Sequence, residues 1–289
     1  MTTHRHYRFA LLGHPVKHSL SPAMHEASFR ALGIDAEYLC FDVPPETLAD
    51  RLAACRAEGF DGLNITVPHK AAAVPLMDRL DASARLYGAV NTVRIGADGF
   101  TGFNTDAAGF LEDLATNFQR TPENRRVFVL GCGGAGRALA IACAHSGAAQ
   151  VTLANRTAQK AERVAAEIAD LLPAAADRVR MLPSDPAAWL TASLESDLII
   201  QCTTAGLGDA DAPMLPSAAF RPGQFLYDLV YTRRVTPTMR SALEAGADAA
   251  NGAGMLVYQG AAAFREWTGL DADVGAMHAA LEARIYGGE

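Results

Sequence analysis

The chain has 289 residues, half of them hydrophobic, and a formal net charge of −7 at pH 7. This length allows two domains with a core each, and the lack of a basic cluster argues against a nucleic-acid partner. No apolar run is long enough to cross a bilayer, and the first residues lack the pattern of a signal peptide. We therefore expect a cytoplasmic protein with a small-molecule partner and no membrane partner. The sequence leaves open whether it is a monomer or a homodimer.

In the first part of the chain, β-rich segments alternate with segments of helical apolar spacing. The β-rich segments are 8–13, 36–43 and 62–67, and the helical segments 21–33 and 45–59 lie between them and end at glycines. Two further β-rich segments, 89–95 and 100–106, are joined by "GADG", whose Asp98-Gly99 pair is a hairpin signal. The pattern predicts a β-α-β-α-β run followed by a hairpin.

A polar interlude, "TPENRR" at 121–126, marks a change of unit. After it, apolar strands alternate with helices again. The predicted strands are 127–131, 150–155, 178–182, 197–202 and 224–230. Such a series is typical of a parallel sheet that is covered by helices on both faces.

The strand "GLNITV" is followed by "PHK", which ends at Lys70. Proline removes a donor from the strand ladder and disfavours helix at Val67, so the chain must turn here. Lys70 is then expected near the carboxyl end of the strand. In open α/β sheets ligands bind at that edge.

The strand "VFVLG" leads into Gly131, Gly133 and Gly136, and an alanine-rich helix follows. Strand, G-x-G-x-x-G spacing and helix together are the context of a dinucleotide-binding loop. The first glycine permits the tight turn, the second lets the pyrophosphate approach the backbone, and the third lets helix and strand pack closely. The alternative is a glycine-rich structural turn.

The end of the next strand predicts which dinucleotide binds. An NAD site usually offers a carboxylate about 20 residues after the glycine loop, whereas this chain has Asn155, Arg156, Thr157 and Lys160. The planar guanidinium of Arg156 can pair with a 2′-phosphate. The sequence therefore predicts NADP. The alternative for any one of these residues is a helix cap or a solvated arginine.

The cysteines and histidines do not form a metal-binding pattern. Four histidines lack metal-ligand spacing and have no accompanying carboxylate, so no metal is expected; they are His14, His18, His25 and His69. The five cysteines are widely spread without a CxxC pair and are expected to be reduced thiols.

The sequence resembles the shikimate dehydrogenase family over nearly its whole length. The resemblance rests on eight motifs in order: "HSLSPAMH" (18–25), "NITVPHK" (64–70), "GAVNT" (88–92), "GFNTD" (102–106), "GCGGAG" (131–136), "NRTAQK" (155–160), "DLVY" (228–231) and "NGAGMLVYQG" (251–260). It implies a two-domain α/β fold. A three-layer αβα substrate domain is formed by residues 1–106 and 253–289, and an NADP-binding Rossmann domain with a parallel sheet by residues 107–252.

The resemblance also implies an activity and its residues. The family is an oxidoreductase that reversibly reduces 3-dehydroshikimate to shikimate with NADPH, on the route to chorismate and the aromatic amino acids. The implied catalytic residues are Lys70 and Asp106. The implied substrate-binding residues are Ser19, Ser21, Thr66, Asn91, Tyr231 and Gln259. The implied cofactor-binding residues are Gly131, Cys132, Gly133, Gly134, Ala135, Asn155, Arg156, Thr157, Lys160, Leu229 and Gly252.

The reaction chemistry agrees with a lysine and a carboxylate at the site. Hydride addition to a ketone leaves negative charge on its oxygen, which an ammonium group can stabilise or protonate. Asp106 can orient the Lys70 ammonium and accept a hydrogen bond from a ring hydroxyl. The alternative is a purely structural Lys70–Asp106 salt bridge.

Two segments depart from the family pattern, and two other functions stay open. Gln201 stands where the family usually has asparagine, and Thr232, Arg233 and Arg234 follow "DLVY" where asparagine and proline are common. These departures affect the predicted nicotinamide side of the cofactor site. The alternative functions are a quinate/shikimate dehydrogenase that uses NAD, and a protein that senses a nucleotide and a cyclitol acid without turnover.

Overall fold

The computed structural model describes residues 5–208 and 212–287. Its strands are β1 (Tyr7–Gly13), β2 (Ala36–Asp42), β3 (Gly62–Ile65), β4 (Arg79–Leu80), β5 (Thr92–Gly96), β6 (Gly99–Phe103), β7 (Arg126–Leu130), β8 (Gln150–Ala154), β9 (Val179–Met181), β10 (Leu198–Gln201), β11 (Phe225–Asp228) and β12 (Asp248–Asn251). Its helices are α1 (Ser21–Ala31), α2 (Leu48–Ala57), α3 (Ala82–Tyr87), α4 (Asp106–Phe118), α5 (Gly134–His145), α6 (Ala158–Leu171), α7 (Pro186–Glu195), α8 (Pro237–Glu244), α9 (Ala253–Thr268) and α10 (Val274–Tyr286). Short 3₁₀ helices lie at Pro45–Thr47, Val74–Leu76, Pro173–Arg178 and Ser217–Ala219.

The chain forms two compact units. The terminal unit consists of the segment up to Glu112 and the segment from Met255 onward, and the central unit runs from Asp113 to Gly254. The boundaries fall within α4 and near the start of α9. Each unit contains its own six-stranded sheet.

The sheet of the terminal unit has the strand order β2-β1-β3-β5-β6-β4. The first three strands are parallel, whereas β5 is antiparallel to β3 and to β6. The predicted β-α-β-α-β run and hairpin are therefore confirmed. The hairpin turn places Ala97 and Asp98 between the paired Gly96 and Gly99, and the positive φ of Gly99, 106°, is one that glycine adopts readily.

Helices cover both faces of this sheet. Successive residues of a strand point to opposite faces, so β1 contributes apolar side chains to both. On one face, Ala10 and Leu12 pack in a cluster with Leu52 of α2. On the other face, the ring of Phe9 stacks on Phe29 of α1 and Trp267 of α9, at centroid distances of 5.3 and 4.7 Å. The terminal unit thus has the predicted three-layer αβα architecture.

The predicted fifth strand, residues 100–106, ends earlier than expected. β6 stops at Phe103 and α4 begins at Asp106. Side-chain oxygens satisfy the backbone here, since Asn104 Oδ1 accepts from the Asp106 N–H and Asn91 Oδ1 accepts from the Thr105 N–H. Such local bonds compete with the strand ladder, which explains why the strand pattern overran.

The central sheet is entirely parallel, in the order β12-β11-β10-β7-β8-β9. This is the doubly wound Rossmann order, and it reverses direction between β7 and β10. Phe128 and Leu130 of β7 pack with Trp189 of α7 and Met239 of α8, while α5 packs against β7 and β8. The predicted parallel sheet is confirmed, and sequence analysis missed β12, whose "DAAN" sequence has no β-branched residue.

Two further expectations concern membrane-spanning helices and the cysteines. Within residues 5–208 and 212–287, no helix is both long and apolar enough to cross a membrane. All five cysteines are free thiols.

Candidate functional site

Four loops meet at one edge of the terminal sheet. The parallel strands β1 and β3 end together, with Leu12 paired to Ile65. The antiparallel β5 begins at that same edge, and β6 ends there, because Thr92 pairs with both Asn64 and Phe103. The segments after β1, after β3, before β5 and after β6 are therefore brought together. They carry most of the residues that the sequence predicts as catalytic or substrate-binding.

Lys70 and Asp106 form a close ion pair at this edge. Lys70 Nζ donates to Asp106 Oδ2 at 2.6 Å, and the two side chains are 31% and 15% exposed. The turn that carries Lys70 is anchored by His69, whose buried ring nitrogen Nε2 donates to the Val43 carbonyl at 2.7 Å. The ammonium group is thus held in one place while part of the Lys70 side chain stays open to a ligand.

Asn91 connects this ion pair to its surroundings. Its Nδ2 donates to Asp106 Oδ1 and to Thr105 Oγ1, both at 2.9 Å. It also lies 3.4 Å from Oε1 of Gln259, whose own Nε2 donates to the Leu256 carbonyl. Both carboxylate oxygens of Asp106 are engaged, so its orientation is fixed by Lys70 on one side and Asn91 on the other.

The serine loop follows β1. Ser21 is the first residue of α1, and its backbone N–H donates to Ser19 Oγ at 3.3 Å. The two hydroxyls are also 3.3 Å apart. Thr66 follows β3, and its backbone N–H donates to the Leu12 carbonyl. Three hydroxyl groups that the sequence predicts as substrate contacts are therefore present at the same sheet edge.

Sequence analysis missed a buried polar network behind these residues. The Tyr38 hydroxyl donates to Asn64 Oδ1 at 2.7 Å, and Asn64 Nδ2 donates to Thr92 Oγ1 and to the Asn91 carbonyl at 3.2 Å. Thr92 Oγ1 in turn donates to Asn91 Oδ1 at 3.0 Å. The signal was an asparagine within the buried strand "GLNIT", since a buried amide requires partners. The network holds Asn91, and through it Asp106.

His25 packs against this network as a neutral ring. It is fully buried, stacks on Tyr38 at 4.7 Å, and burial lowers its pKa to about 3.

Among the described residues, no cluster of three His, Cys, Asp or Glu side chains has the arrangement of a metal site.

The central unit contains a cavity of about 580 Å³ at the point where its strand order reverses. The loops after β7 and β10 form its walls, as expected for a ligand site of a doubly wound sheet. Its lining includes Leu130, Gly131, Gly133, Asn155, Arg156, Thr157, Lys160, Trp189, Cys202, Thr203, Thr204, Ala205 and Met214. Sequence analysis did not predict that Trp189 or the residues after β10 line this cavity. The residues after β10 could have been found, because β10 is the neighbour of β7 and ends at the same edge of the sheet.

The glycines of the loop after β7 differ in their surroundings. Gly131 has a positive φ of 104°, and a Cβ at Gly136 would overlap the Gly131 carbonyl oxygen. These two glycines are required by the fold. A Cβ at Gly133 or Gly134 would meet no atom within 4 Å, so internal packing leaves both positions open, and Gly133 lines the cavity. Ala135 follows them as an exposed residue of α5.

Two cations that follow β8 line the cavity, Arg156 in the loop and Lys160 in the first turn of α6. Both are exposed, and within the described ranges neither side chain forms an ion pair. Asn155 is bonded locally: its Oδ1 accepts from the Cys132 N–H at 3.0 Å, and its Nδ2 donates to the Thr157 carbonyl at 2.9 Å. Thr157 precedes α6 without a side-chain capping bond, so the capping alternative is wrong for this residue.

The segment after β11 carries the remaining predicted residues, Leu229 and Tyr231. Gly252 lies against it, because a Cβ at Gly252 would meet the Leu229 carbonyl oxygen. The buried Asp228 holds its beginning and end: Oδ1 accepts from the Val230 N–H at 3.1 Å and Oδ2 accepts from Thr236 Oγ1 at 2.6 Å.

Burial raises the pKa of the Asp228 carboxyl from 3.8 to about 6, and hydrogen bonds from Thr236, Val230 and Gln201 oppose the shift. The folded chain therefore holds this proton more tightly than the unfolded chain. The contribution of the protonated Asp228 carboxyl to the free energy of unfolding is fully present below about pH 4 and is lost as pH rises through about 6.

We expect Asp228→Asn, which cannot ionise, to flatten the dependence of unfolding free energy on pH across this range. Wild type should lose up to about 3 kcal/mol of unfolding free energy across this range that the variant does not lose, since each unit of pKa difference corresponds to about 1.4 kcal/mol. Urea unfolding of both proteins near pH 4 and near pH 7 measures it. Equal pH slopes for wild type and variant would contradict the assignment.

Comparison with known families gives three matches along the chain. Residues 11–93 match the shikimate dehydrogenase substrate binding domain, and residues 252–282 match the shikimate 5′-dehydrogenase C-terminal domain. Residues 127–266 match the saccharopine dehydrogenase NADP binding domain. The first two matches include the Lys70 loop and Gln259, and the third includes the glycine loop.

Full-length relatives agree with these matches. The shikimate dehydrogenase (NADP(+)) of Moorella thermoacetica is 44% identical, over 94% of this chain and 91% of that protein. The structure of shikimate 5-dehydrogenase from Thermus thermophilus in complex with NADP(H) and shikimate is 40% identical with a TM-score of 0.85, covering 96% of this chain and 99% of that chain. Quinate dehydrogenase from Corynebacterium glutamicum in complex with NAD is 29% identical with a TM-score of 0.89, covering 96% and 100%. The chain belongs to the shikimate dehydrogenase family.

Proposed function

We propose that this protein is an NADP-dependent shikimate dehydrogenase that reversibly reduces 3-dehydroshikimate to shikimate, on the route to chorismate and the aromatic amino acids. The observation that carries the proposal is the half-buried Lys70 ammonium, which is bonded to Asp106 at the sheet edge that also holds Asn91 and the serine loop. The terminal unit would bind the substrate and the central unit the cofactor. We place the enzyme in the cytoplasm, as a monomer or homodimer.

The residues of the terminal unit suit a cyclic hydroxy acid. Ser19 and Ser21 would hold the carboxylate. The residues proposed around the ring and its hydroxyls are Thr66, Asn91, Tyr231 and Gln259. Asp106 would accept a hydrogen bond from a ring hydroxyl. Lys70 would stabilise the negative charge that develops on the ketone oxygen and donate the proton to it. In the oxidative direction, Lys70 would accept that proton.

The central unit fits NADP on three counts. Its cavity has the volume of a cofactor site, the open side of Gly133 and Gly134 leaves room for a pyrophosphate against the loop before α5, and the two cations that line the cavity can pair with the 2′-phosphate. Gly131, Cys132, Ala135, Asn155 and Thr157 would complete the phosphate side. Leu229 and Gly252 would lie beside the nicotinamide. When bound, NADPH supplies the hydride.

A quinate/shikimate dehydrogenase is the second candidate, because quinate dehydrogenase from Corynebacterium glutamicum has a closely similar structure. The loop after β8 weighs against it. NAD sites place a carboxylate there for the ribose hydroxyls, whereas this chain presents Arg156 to the cavity.

We expect shikimate to be preferred over quinate and NADP over NAD. Quinate has an additional tertiary hydroxyl on a saturated, puckered ring, so a site shaped for the flatter cyclohexene must exclude that hydroxyl or bury it unpaired. An unpaired buried hydroxyl costs about 1–3 kcal/mol, which corresponds to about 5- to 150-fold in kcat/KM. The experiment measures kcat/KM for both acids with both cofactors.

Each outcome of this experiment supports a different function for the protein. The highest value for shikimate with NADP supports the proposal. A quinate value equal to or above the shikimate value would assign the protein to quinate metabolism instead. Nucleotide binding without turnover of either acid would leave the non-catalytic sensor as the explanation.

A further inference from the structure

Gln201 is a fully buried side chain at the carboxyl end of β10, next to the strand that carries the glycine loop. Its amide oxygen accepts from the Thr203 N–H, and its Nε2 donates to the Ala205 carbonyl at 3.1 Å and to Asp228 Oδ1 at 3.2 Å. One side chain therefore uses its donor and acceptor groups on three partners.

These partners lie in two different segments of the chain. Thr203 and Ala205 lie in the loop after β10 and line the nucleotide cavity. Asp228 is the last residue of β11, and its carboxylate also binds the Val230 N–H and the Thr236 hydroxyl. Thr236 Oγ1 then accepts from the Met239 N–H and caps α8. The cluster of Gln201, Asp228 and Thr236 thus joins the cavity wall to both ends of the segment 229–235.

The length of the side chain matters for this connection. Asparagine carries the same amide group on a side chain that is shorter by one methylene. It retains the amide but cannot keep the Thr203, Ala205 and Asp228 contacts in their present geometry. The glutamine is therefore suited to this chain's own pair of loops, of which the second contains Thr232, Arg233 and Arg234. Asn251 Nδ2 holds that second loop independently, by donating to the Arg233 and Arg234 carbonyls.

We infer that Gln201 is a positioning residue of the cofactor site, which through Asp228 sets the relative placement of the loops after β10 and β11. The inference rests on the proposed function, since it takes NADP as the ligand of the cavity. Gln201 itself is buried behind the cavity wall. It acts on the cofactor through the backbone of Thr203 and Ala205 and through the segment that carries Leu229 and Tyr231.

Gln201→Glu tests the inference with a side chain of the same size. The variant keeps an acceptor for the Thr203 N–H, loses the donor to the Ala205 carbonyl, and places a carboxylate against Asp228. We expect the dissociation constant of NADP to rise about ten-fold or more, the range of coupling within a buried network. The dissociation constant of shikimate alone should rise less than that of NADP, because most of the proposed shikimate contacts lie in the terminal unit. Calorimetric titration of the folded protein measures both.

Gln224→Glu is the matched control. Gln224 is also fully buried, and its Nε2 donates to the Ser193 and Ser196 carbonyls. It precedes β11 and therefore lies at the opposite edge of the same sheet from the cavity. Gln224→Glu should lower the melting temperature as Gln201→Glu does, but it should leave NADP affinity unchanged.

A second substitution tests the link to Asp228. Gln201→Glu/Asp228→Asn removes one of the two facing carboxylates and should recover most of the lost NADP affinity. Gln201→Asn, which adds no charge, should weaken NADP binding in the same direction and serves if the glutamate variant does not fold.

Three results would overturn the inference. The first is an NADP affinity of Gln201→Glu and Gln201→Asn equal to that of Gln224→Glu, which would make Gln201 a purely structural residue. The second is a double variant as weak as Gln201→Glu alone, which would remove Asp228 from the link. The third is a folded wild-type protein that does not bind NADP, a result that would refute the proposed function itself and this inference with it.

Discussion

Lys70→Ala is expected to lower kcat by about 10² to 10⁴ with little change in the KM for shikimate. The loss is on the scale of a missing general acid or base, and it falls on kcat because the proton and the stabilised charge are needed only as the reaction proceeds. The structure supports this expectation, since Asp106 fixes the ammonium group in a half-buried position that a substrate can reach. Steady-state kinetics of shikimate oxidation measure the effect.

An exposed ion pair of the same unit provides the control. Arg79 Nη2 lies 2.7 Å from Asp98 Oδ2, and both side chains are exposed. Arg79→Ala removes a cation in the same way, but it should leave kcat unchanged. An exposed ion pair contributes little to stability, and Arg79 is not among the proposed site residues. If Lys70→Ala lowers the melting temperature while turnover stays near that of wild type, Lys70 forms a structural salt bridge and the catalytic assignment is wrong.

Arg156→Ala is expected to weaken NADP binding by about 10- to 100-fold and to leave NAD binding nearly unchanged. The guanidinium can pair with the 2′-phosphate through charge-assisted hydrogen bonds, which contribute about 1.5–3 kcal/mol each, and NAD lacks this phosphate. Arg156 is suited to this role because it lines the cavity and is exposed. Dissociation constants for both cofactors provide the measurement.

Arg163→Ala is the corresponding control. Arg163 is an exposed residue of α6, its Nε donates to the Gln159 carbonyl, and it does not line the cavity. Its removal should change neither dissociation constant. A loss of equal size for NADP and NAD in Arg156→Ala would mean that Arg156 supports the loop rather than reading the phosphate.

Sequence patterns could predict most of the fold because the two sheets depend on local signals. The apolar strands and glycine-terminated helices predicted the parallel runs of both units. The strand patterns were less reliable where side chains replace backbone partners, as at Asn104, whose Oδ1 accepts from the Asp106 N–H. β4 has only two residues, which is too short for any alternation to be detected.

The candidate site was predictable only where motifs carry chemistry. Lys70 follows a strand end, and the glycine loop has its own spacing, so both could be located in advance. The supporting residues could not be predicted in the same way. Gln201 and Asp228 are 27 residues apart, and they meet because β10 and β11 are neighbours in register. Tyr38 reaches Asn64 for a similar reason, since β1 lies between their strands and aligns them.

The most direct test of the central claim follows the hydride itself. NADPH that carries deuterium at both C4 positions of the nicotinamide is incubated with the wild-type protein and 3-dehydroshikimate, and the product is analysed by mass spectrometry and NMR. The account predicts shikimate with a single deuterium, located on the carbon that bears the newly formed hydroxyl. Unlabelled shikimate, or no shikimate from a folded protein that binds both compounds, would contradict it.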